Sequence, residues 1–435
     1  MLPPDPLLPV LIAVPTVIIT CHVGAWAVRR FGQPAVIGEI LAGVLLGPSL
    51  LGWLAPGAQH WLLPGAVLPT ISTLGNLGLL CFIFLVGFEL NPTSLAGVSR
   101  SAAWVSQGSL FVPLVLGSTL GLAMYPAMAP AHVSRPAFVL FVGLALSITA
   151  FPVLARILTD RGLANTPLGA FAMATAAVDD AIAWCLLAGV AALCSSGSVL
   201  AALTTLAFAV AVAVTLVALR PALRAVVQRV GRTSDELVLV VLFTGLCLTA
   251  FITDRIGVHP LFGAFLFGAV TPRGLPSVER SAARLRAVAV PILLPLFFVD
   301  TGLQTDFTRL TASPAQLWWA LAILIVAVTG KLTGAAGTAR ITGSSWRQAA
   351  IIGVLMNCRG LTELVVLGIG RQLGVIGPDL FSMLVLMTLV TTAATTPLLN
   401  RLVRHGGGLA DSALRPSVAH GRHGQQLTAE EPEVE

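Results

Sequence analysis

The stretch TPLGAFAMATAAVDDAIAWCLLAGVAALC, residues 166–194, decides how this chain is read: it carries no charge except Asp179 and Asp180 near its middle. About 20 predominantly apolar residues in a helix, rising 1.5 Å each, cross the roughly 30 Å hydrocarbon core of a bilayer. One Asp at the centre of such a helix costs about 2.5 to 3.5 kcal/mol even on the lower insertion scales. Two adjacent ones therefore require a water-filled cavity, a cation or a basic partner.

Outward from this stretch the character does not change. The 435 residues are 56% apolar and 10% charged, against about 25% charged in soluble domains, and the mean hydropathy is +0.91. Soluble, secreted, disulfide-framework and nucleic-acid-binding classes are excluded, and an all-α polytopic membrane protein is predicted. Apolar windows between Gly, Pro and charged breaks predict thirteen transmembrane helices, at 8–28, 34–52, 66–89, 101–126, 136–158, 166–194, 199–219, 236–253, 259–272, 286–303, 315–340, 347–371 and 378–402. With the N-terminus outside, nineteen arginines fall on the cytoplasmic side and only Arg135, Arg255, Arg309 and Arg371 on the other, so the positive-inside rule predicts N-out, C-in. The net charge of +6 thus reports topology, not a ligand.

The start MLPPDPLL has no basic stretch ahead of the first apolar run and is not expected to act as a cleavable signal. Cys21, Cys81, Cys185, Cys194, Cys247 and Cys358 fall in or beside apolar segments without Cys-x-x-Cys spacing, which predicts packing roles and no disulfide or zinc. Residues 405–435 are polar, Gly-rich and finally acidic, as expected of a disordered cytoplasmic tail. The membrane domain is placed at 1–404.

The chain also matches itself. FGQPAVIGEILAG and IGVHPLFGAFLFG align Gly32, Gly38 and Gly43 with Gly257, Gly263 and Gly268 at one constant offset. Further along, CFIFLVGFELNPTSL and PLFFVDTGLQTDFTRL align Phe82 with Phe297, Gly87 with Gly302, Thr93 with Thr308 and Leu95 with Leu310. Six helices at about 8–194 then repeat at about 236–402, with 199–219 as a linker. Seven spans separate equivalent helices, so the copies are inverted in the membrane. The fifth helix of each copy is expected to be discontinuous, through Pro152 in SITAFPVLARIL and Gly360 in MNCRGLTELV, and to cross its counterpart near the midplane.

Other charges inside spans are few. Lys331, in VTGKLTGAAG, is the only lysine in the chain; a desolvated Lys can release its proton, whereas Arg effectively cannot. Arg359 and Glu363 stand four apart on one helix face, which favours structural pairing. Asp300 is near the end of its span, where it either snorkels or lines an outer funnel, and Glu39 is within reach of Arg29 or Arg30. The repeat places Thr391 and Thr392 opposite the two aspartates, so one acidic site per chain is expected.

These segments resemble the monovalent cation:proton antiporter-2 family, which includes bacterial Kef-type and NapA-type proteins and the plant CHX exchangers. The resemblance covers about 20 to 400 and rests on GQPAVIGEILAGVLLGPSLLG, LSITAFPVLARIL followed by TAAVDDAIAW, HPLFGAFLFGAVTP, LFFVDTGLQTD, and GKLTG with MNCRGLTELVVLGIG. It implies the NapA-like antiporter fold and a homodimer whose core domain carries the ion in an elevator-like motion. It further implies Asp180 as the cation- and proton-binding carboxylate, Asp179 as the partner of Lys331, and Thr149 in an unwound stretch near the ion. Asp300 departs from the family pattern, which has a small or hydroxyl residue there.

A carboxylate out of bulk water binds either a proton or a monovalent cation, and competition for one berth couples their movements without a cofactor. Exchange of Na+ or K+ for H+ across the cell membrane is the function expected. A cation channel would need no acid–lysine pair, and a proton-coupled organic anion transporter would want a positive binding centre. No metal cluster, nucleophile elbow or phosphate loop suggests an enzyme.

Overall fold

The computed structural model describes residues 7–89, 99–164, 166–196, 199–311 and 313–404, and every regular element among them is a helix. Apart from the short helices Leu51–Leu54 and Pro56–Leu62 and the turn Arg309–Thr311, in chain order these are α1 (Leu7–Arg30), α2 (Ala35–Leu46), α3 (Leu68–Glu89), α4 (Arg100–Met128), α5 (Arg135–Ser147), α6 (Phe151–Asp160), α7 (Pro167–Ser196), α8 (Val199–Gly231) and α9 (Asp235–Arg255). There follow α10 (Pro260–Val270), α11 (Pro276–Leu303), α12 (Pro314–Ile341), α13 (Trp346–Met356), α14 (Leu361–Gln372) and α15 (Pro378–Arg404). The proposed tail at 405–435, the first six residues, and Thr93 and Leu95 of the second self-match lie outside the described residues.

Each of the thirteen windows holds a helix, but not every helix is a full span. Eleven spans are long and apolar enough to cross a membrane, counting α2 as running on to Leu54 and α5 with α6 as one span, and α13 with α14 makes a twelfth, bent by 43°. The window at 259–272 contains only the 11 residues of α10, about 16 Å of helix, which is short for a 30 Å core. Two boundaries differ the other way. The linker expected to end at 219 continues as helix to Gly231, and the window starting at 286 is helical from Pro276. Both extensions are amphipathic: Val227 is buried under the first, while Val278 and Ala282 are buried under the second. A span-length window averages out such half-polar turns.

The predicted breaks occur. The fifth span of the first copy is interrupted at Ile148–Ala150, one step ahead of Pro152, which occupies the first turn of α6 where its missing N–H costs nothing. Its counterpart is interrupted between Met356 and Leu361. Two other spans contain single π-helical turns, Ala289–Leu293 in α11 and Leu332–Ala336 in α12, the second directly following Lys331.

Helices α1–α3 pack with α9–α11, and α4–α7 pack with α12–α15, so each bundle draws on both copies of the repeat. The self-matched glycines show how. A Cβ on Gly43 would collide with the backbone of Val299 and Gly302, and one on Gly268 with the backbone of Phe84 and Phe88; Gly87 is blocked in turn by Phe265 and Ala269. Thus α2 presses on α11 as α10 presses on α3, through residues that the two alignments pair. Gly32 and Gly257 turn the chain between equivalent helices with φ of 70° and 81°, a region that other residues rarely adopt.

Candidate functional site

The two broken segments cross and bond to each other. Ala150 N donates to Cys358 O at 3.1 Å, and Thr149 Oγ1 lies 3.1 Å from Met356 O. Breaking each helix frees these groups from the i to i−4 ladder, and the crossing satisfies them mutually, as buried backbone requires.

Against this crossing α7 presents Asp179, which is fully buried. Its Oδ1 accepts the Ser106 hydroxyl at 2.9 Å; its Oδ2 accepts Ser109 at 3.0 Å and Thr149 at 2.9 Å and is 3.3 Å from Lys331 Nζ. The ammonium also donates to Ser109 Oγ at 3.0 Å and Thr149 Oγ1 at 2.6 Å. Close contact of α4 with α12 allows this: a Cβ on Gly334 would meet the Gly108 backbone and a Cβ on Gly108 the Gly334 backbone, so the helices approach to backbone distance between the serines and Lys331.

Asp180, only 2% exposed, points to a different neighbourhood. Thr362 in the first turn of α14 is its polar neighbour, placing the carboxyl beside a helix N-terminus, where unpaired N–H groups favour negative charge. Its Oδ1 has no hydrogen-bond partner and is buried. A buried carboxylate oxygen without a donor is an available ligand.

On the far side of the crossing Arg359 is fully buried and pairs with Glu363 at 3.0 Å. The guanidinium also donates to Ala145 O at 3.0 Å and Leu146 O at 2.5 Å, the free carbonyls at the end of α5. Thr392 bridges the same backbone, accepting from Arg359 N at 3.0 Å and donating to Arg359 O at 2.7 Å. Thr391 bonds only to carbonyls of its own helix.

The structure therefore brings Asp179, Lys331 and Thr149 into one hydrogen-bonded cluster, with Asp180, Arg359 and Glu363 around the same crossing. Asp300 lies apart, on α11, bonded to Ser72 and Gln304. Glu39 does not pair with Arg29 or Arg30: no ion pair among the described residues contains it, and the Arg30 guanidinium stacks 4.1 Å from the Trp26 ring centre instead. Ser106 and Ser109 were not singled out in the sequence. Their signal was present, two hydroxyls one turn apart in the apolar SQGSLF.

Two crevices open between the bundles, and neither is lined by Asp179 or Asp180. One, of about 420 Å³, is bounded by Arg29, Gly32, Gln33, Arg156, Asp160, Arg161 and Thr396. The other, of about 360 Å³, is bounded by Asn76, Asp254, His259, Phe297 and Gln372 among others. The first lies at the turn of Gly32 and the second at the turn after Gly257, so they are counterparts under the repeat.

Residues 17–404 match the family model described as sodium/hydrogen exchanger, transmembrane. The Na+/H+ antiporter NhaS4 of Synechocystis sp. is 39% identical over 378 residues, covering 86% of this chain and 92% of that protein. The K+/H+ antiporter 1 of Saccharomyces cerevisiae is 31% identical over 398 residues, covering 88% of this chain and 45% of that protein. The chain spans about half the length of the yeast relative and of Arabidopsis cation/H+ antiporter 19, which is 35% identical over 398 residues. Among solved structures, the sodium proton antiporter MjNhaP1 of Methanocaldococcus jannaschii superimposes with a TM-score of 0.64 at 13% identity, covering 92% of this chain and all of that one. That likeness concerns the fold.

Proposed function

We propose, for a chain that belongs to the sodium/hydrogen exchanger, transmembrane family, that it exchanges a monovalent cation, Na+ or K+, for protons by alternating access. The observation that carries this reading is the unpartnered buried oxygen of Asp180 beside a carboxylate already occupied by Lys331 and three hydroxyls. One acid is held and the other is free to bind.

Asp180 is the exchanged site: a cation arriving at its carboxylate displaces the proton to water, and a returning proton displaces the cation. Asp179 and Lys331 form a switchable pair, in which the carboxylate can turn towards the cation while the ammonium keeps its bonds to Ser109 and Thr149. Thr149, in the unwound stretch, supplies an oxygen. The bundle of α4–α7 and α12–α15 moves against the bundle of α1–α3 and α9–α11, exposing the site to one crevice and then the other. Both carboxylates are buried and the crevices are separate, a packing that suits an occluded carrier better than a continuous pore. We assign a homodimer in the cell membrane with the N-terminus outside, which places the Arg29 crevice on the cytoplasmic side and the Asp254 crevice outside. The membrane domain is taken as 1–404, with inverted repeats at about 8–194 and 236–402.

The test is exchange in proteoliposomes containing a pH dye, with Na+, K+ and Li+ supplied separately and the voltage clamped. Because proton and cation compete for one carboxylate, the half-saturating cation concentration should rise as pH falls, by about tenfold per pH unit once the protonated form dominates. Asp180→Asn should reduce cation-driven proton movement to that of protein-free vesicles with an unchanged size-exclusion profile. Exchange retained by a folded Asp180→Asn protein contradicts the assignment.

A further inference from the structure

The two crevices are related by the repeat, yet their walls carry opposite charge. Arg29, Arg156 and Arg161 line one, with Asp160 already paired to Arg156 at 3.0 Å. The other has no arginine or lysine in its wall and includes Asp254. Beside it stands Asp300, half-buried and in no ion pair among the described residues.

Asp300 Oδ2 accepts the Ser72 hydroxyl at 3.3 Å and Gln304 Nε2 at 3.0 Å; Asn76 Nδ2 donates to Ser72 Oγ at 3.5 Å. Ser72 and Asn76 are one turn apart on α3, and Asn76 is part of the crevice wall. Phe297, one turn from Asp300 on α11, is part of it too. The polar string Asp300–Ser72–Asn76 therefore runs along the seam between α3 and α11 to the crevice. Carboxylate, hydroxyl and amide oxygens are the hard donors that an alkali cation takes. Under the match that pairs Phe82 with Phe297 and Gly87 with Gly302, the counterpart of Asp300 is Leu85, which is 2% exposed. The feature belongs to one mouth only.

We propose that Asp300, with Ser72, Asn76 and Gln304, forms a second, vestibular cation site that gathers the monovalent cation at the Asp254 crevice before it reaches the buried carboxylates. This rests on the exchange reading for its role in transport. A fixed negative charge in a low-dielectric wall raises the local cation concentration, and added salt screens the effect.

The experiment compares the wild type with Asp300→Asn in vesicles at low ionic strength, with Na+ or K+ added on either side. From the Asp254 side the half-saturating concentration should rise about three- to ten-fold at an unchanged maximal rate, and the difference should shrink as N-methylglucamine chloride is added. From the opposite side it should not change, and Asp300→Glu should restore the wild-type value. No shift, an equal shift on both sides, or a loss of maximal rate alone overturns the proposal. A second readout needs no turnover: in Asp180→Asn protein, Na+ should still raise the melting temperature relative to N-methylglucamine at equal ionic strength, and adding Asp300→Asn should abolish that rise. If wild-type vesicles show no exchange while this rise persists, the exchange reading falls and the vestibular site stands. Exchange without an Asp300-dependent rise removes the site alone.

Discussion

Two buried ion pairs hold the crossing of the broken helices, and they are built differently. Arg359–Glu363 joins residues of one segment and also donates from both terminal guanidinium nitrogens to the carbonyls of Ala145 and Leu146, while Thr392 bonds both backbone groups of Arg359. Arg359 Nε and Glu363 Oε1 are its unpartnered atoms. Asp179–Lys331 joins residues 152 positions apart on different helices, through hydroxyls of Ser106, Ser109 and Thr149 that can rotate. The first pair neutralises the negative end of a half-helix with a group that cannot lose its charge. The second uses lysine, which unlike arginine can give up its proton, next to the second acid. A fixed pair supports the crossing, and the adaptable one is the pair we propose for exchange.

Removing half of the fixed pair should have the largest effect on stability. Arg359→Leu leaves a buried carboxylate and two half-helix carbonyls without their donor, at a cost of about 3 to 5 kcal/mol. Thermal melting in detergent should show it, and a variant as stable as the wild type would remove the distinction between the pairs. Lys331→Met should also destabilise, by about 2 to 4 kcal/mol, because Asp179 keeps only its hydroxyl donors. Here the double variant Lys331→Met with Asp179→Asn should recover about half of that loss without recovering exchange. Failure of the second substitution to recover stability would mean that Lys331 acts by packing alone. The smallest contrast concerns the threonines opposite the aspartates. Thr392→Val should cost about 1 to 3 kcal/mol by stranding the amide and carbonyl of Arg359, and Thr391→Val less than about 0.5 kcal/mol. Equal costs would show that the α15 hydroxyls do not clamp the crossing.

Much of the site could be anticipated residue by residue. Asp179, Asp180 and Lys331 are conspicuous because charge in an apolar run is expensive, and Arg359 with Glu363 because four residues bring side chains to one helical face. The glycine spacing announced the repeat, since Gly32 and Gly257 occupy matching turns and Gly43 and Gly268 matching close contacts. The serines of α4 escaped notice because a hydroxyl bonded within an apolar helix costs little and leaves no anomaly in composition. Glu39 misled for a related reason: nearness along the chain says nothing of whether a neighbouring arginine prefers a ring, as Arg30 prefers Trp26.

What the amino-acid order determined by itself is where the apolar helices lie, the doubling of the architecture and the identity of the buried charges, because each follows from local hydropathy or from a period along one strand of residues. Which carboxylate Lys331 takes, which oxygen remains without a donor, and how Met356 and Cys358 come to meet Thr149 and Ala150 were decided only in three dimensions. Those contacts join helices far apart in the chain, and they depend on how closely glycine-lined backbones can approach, a quantity that no single segment contains.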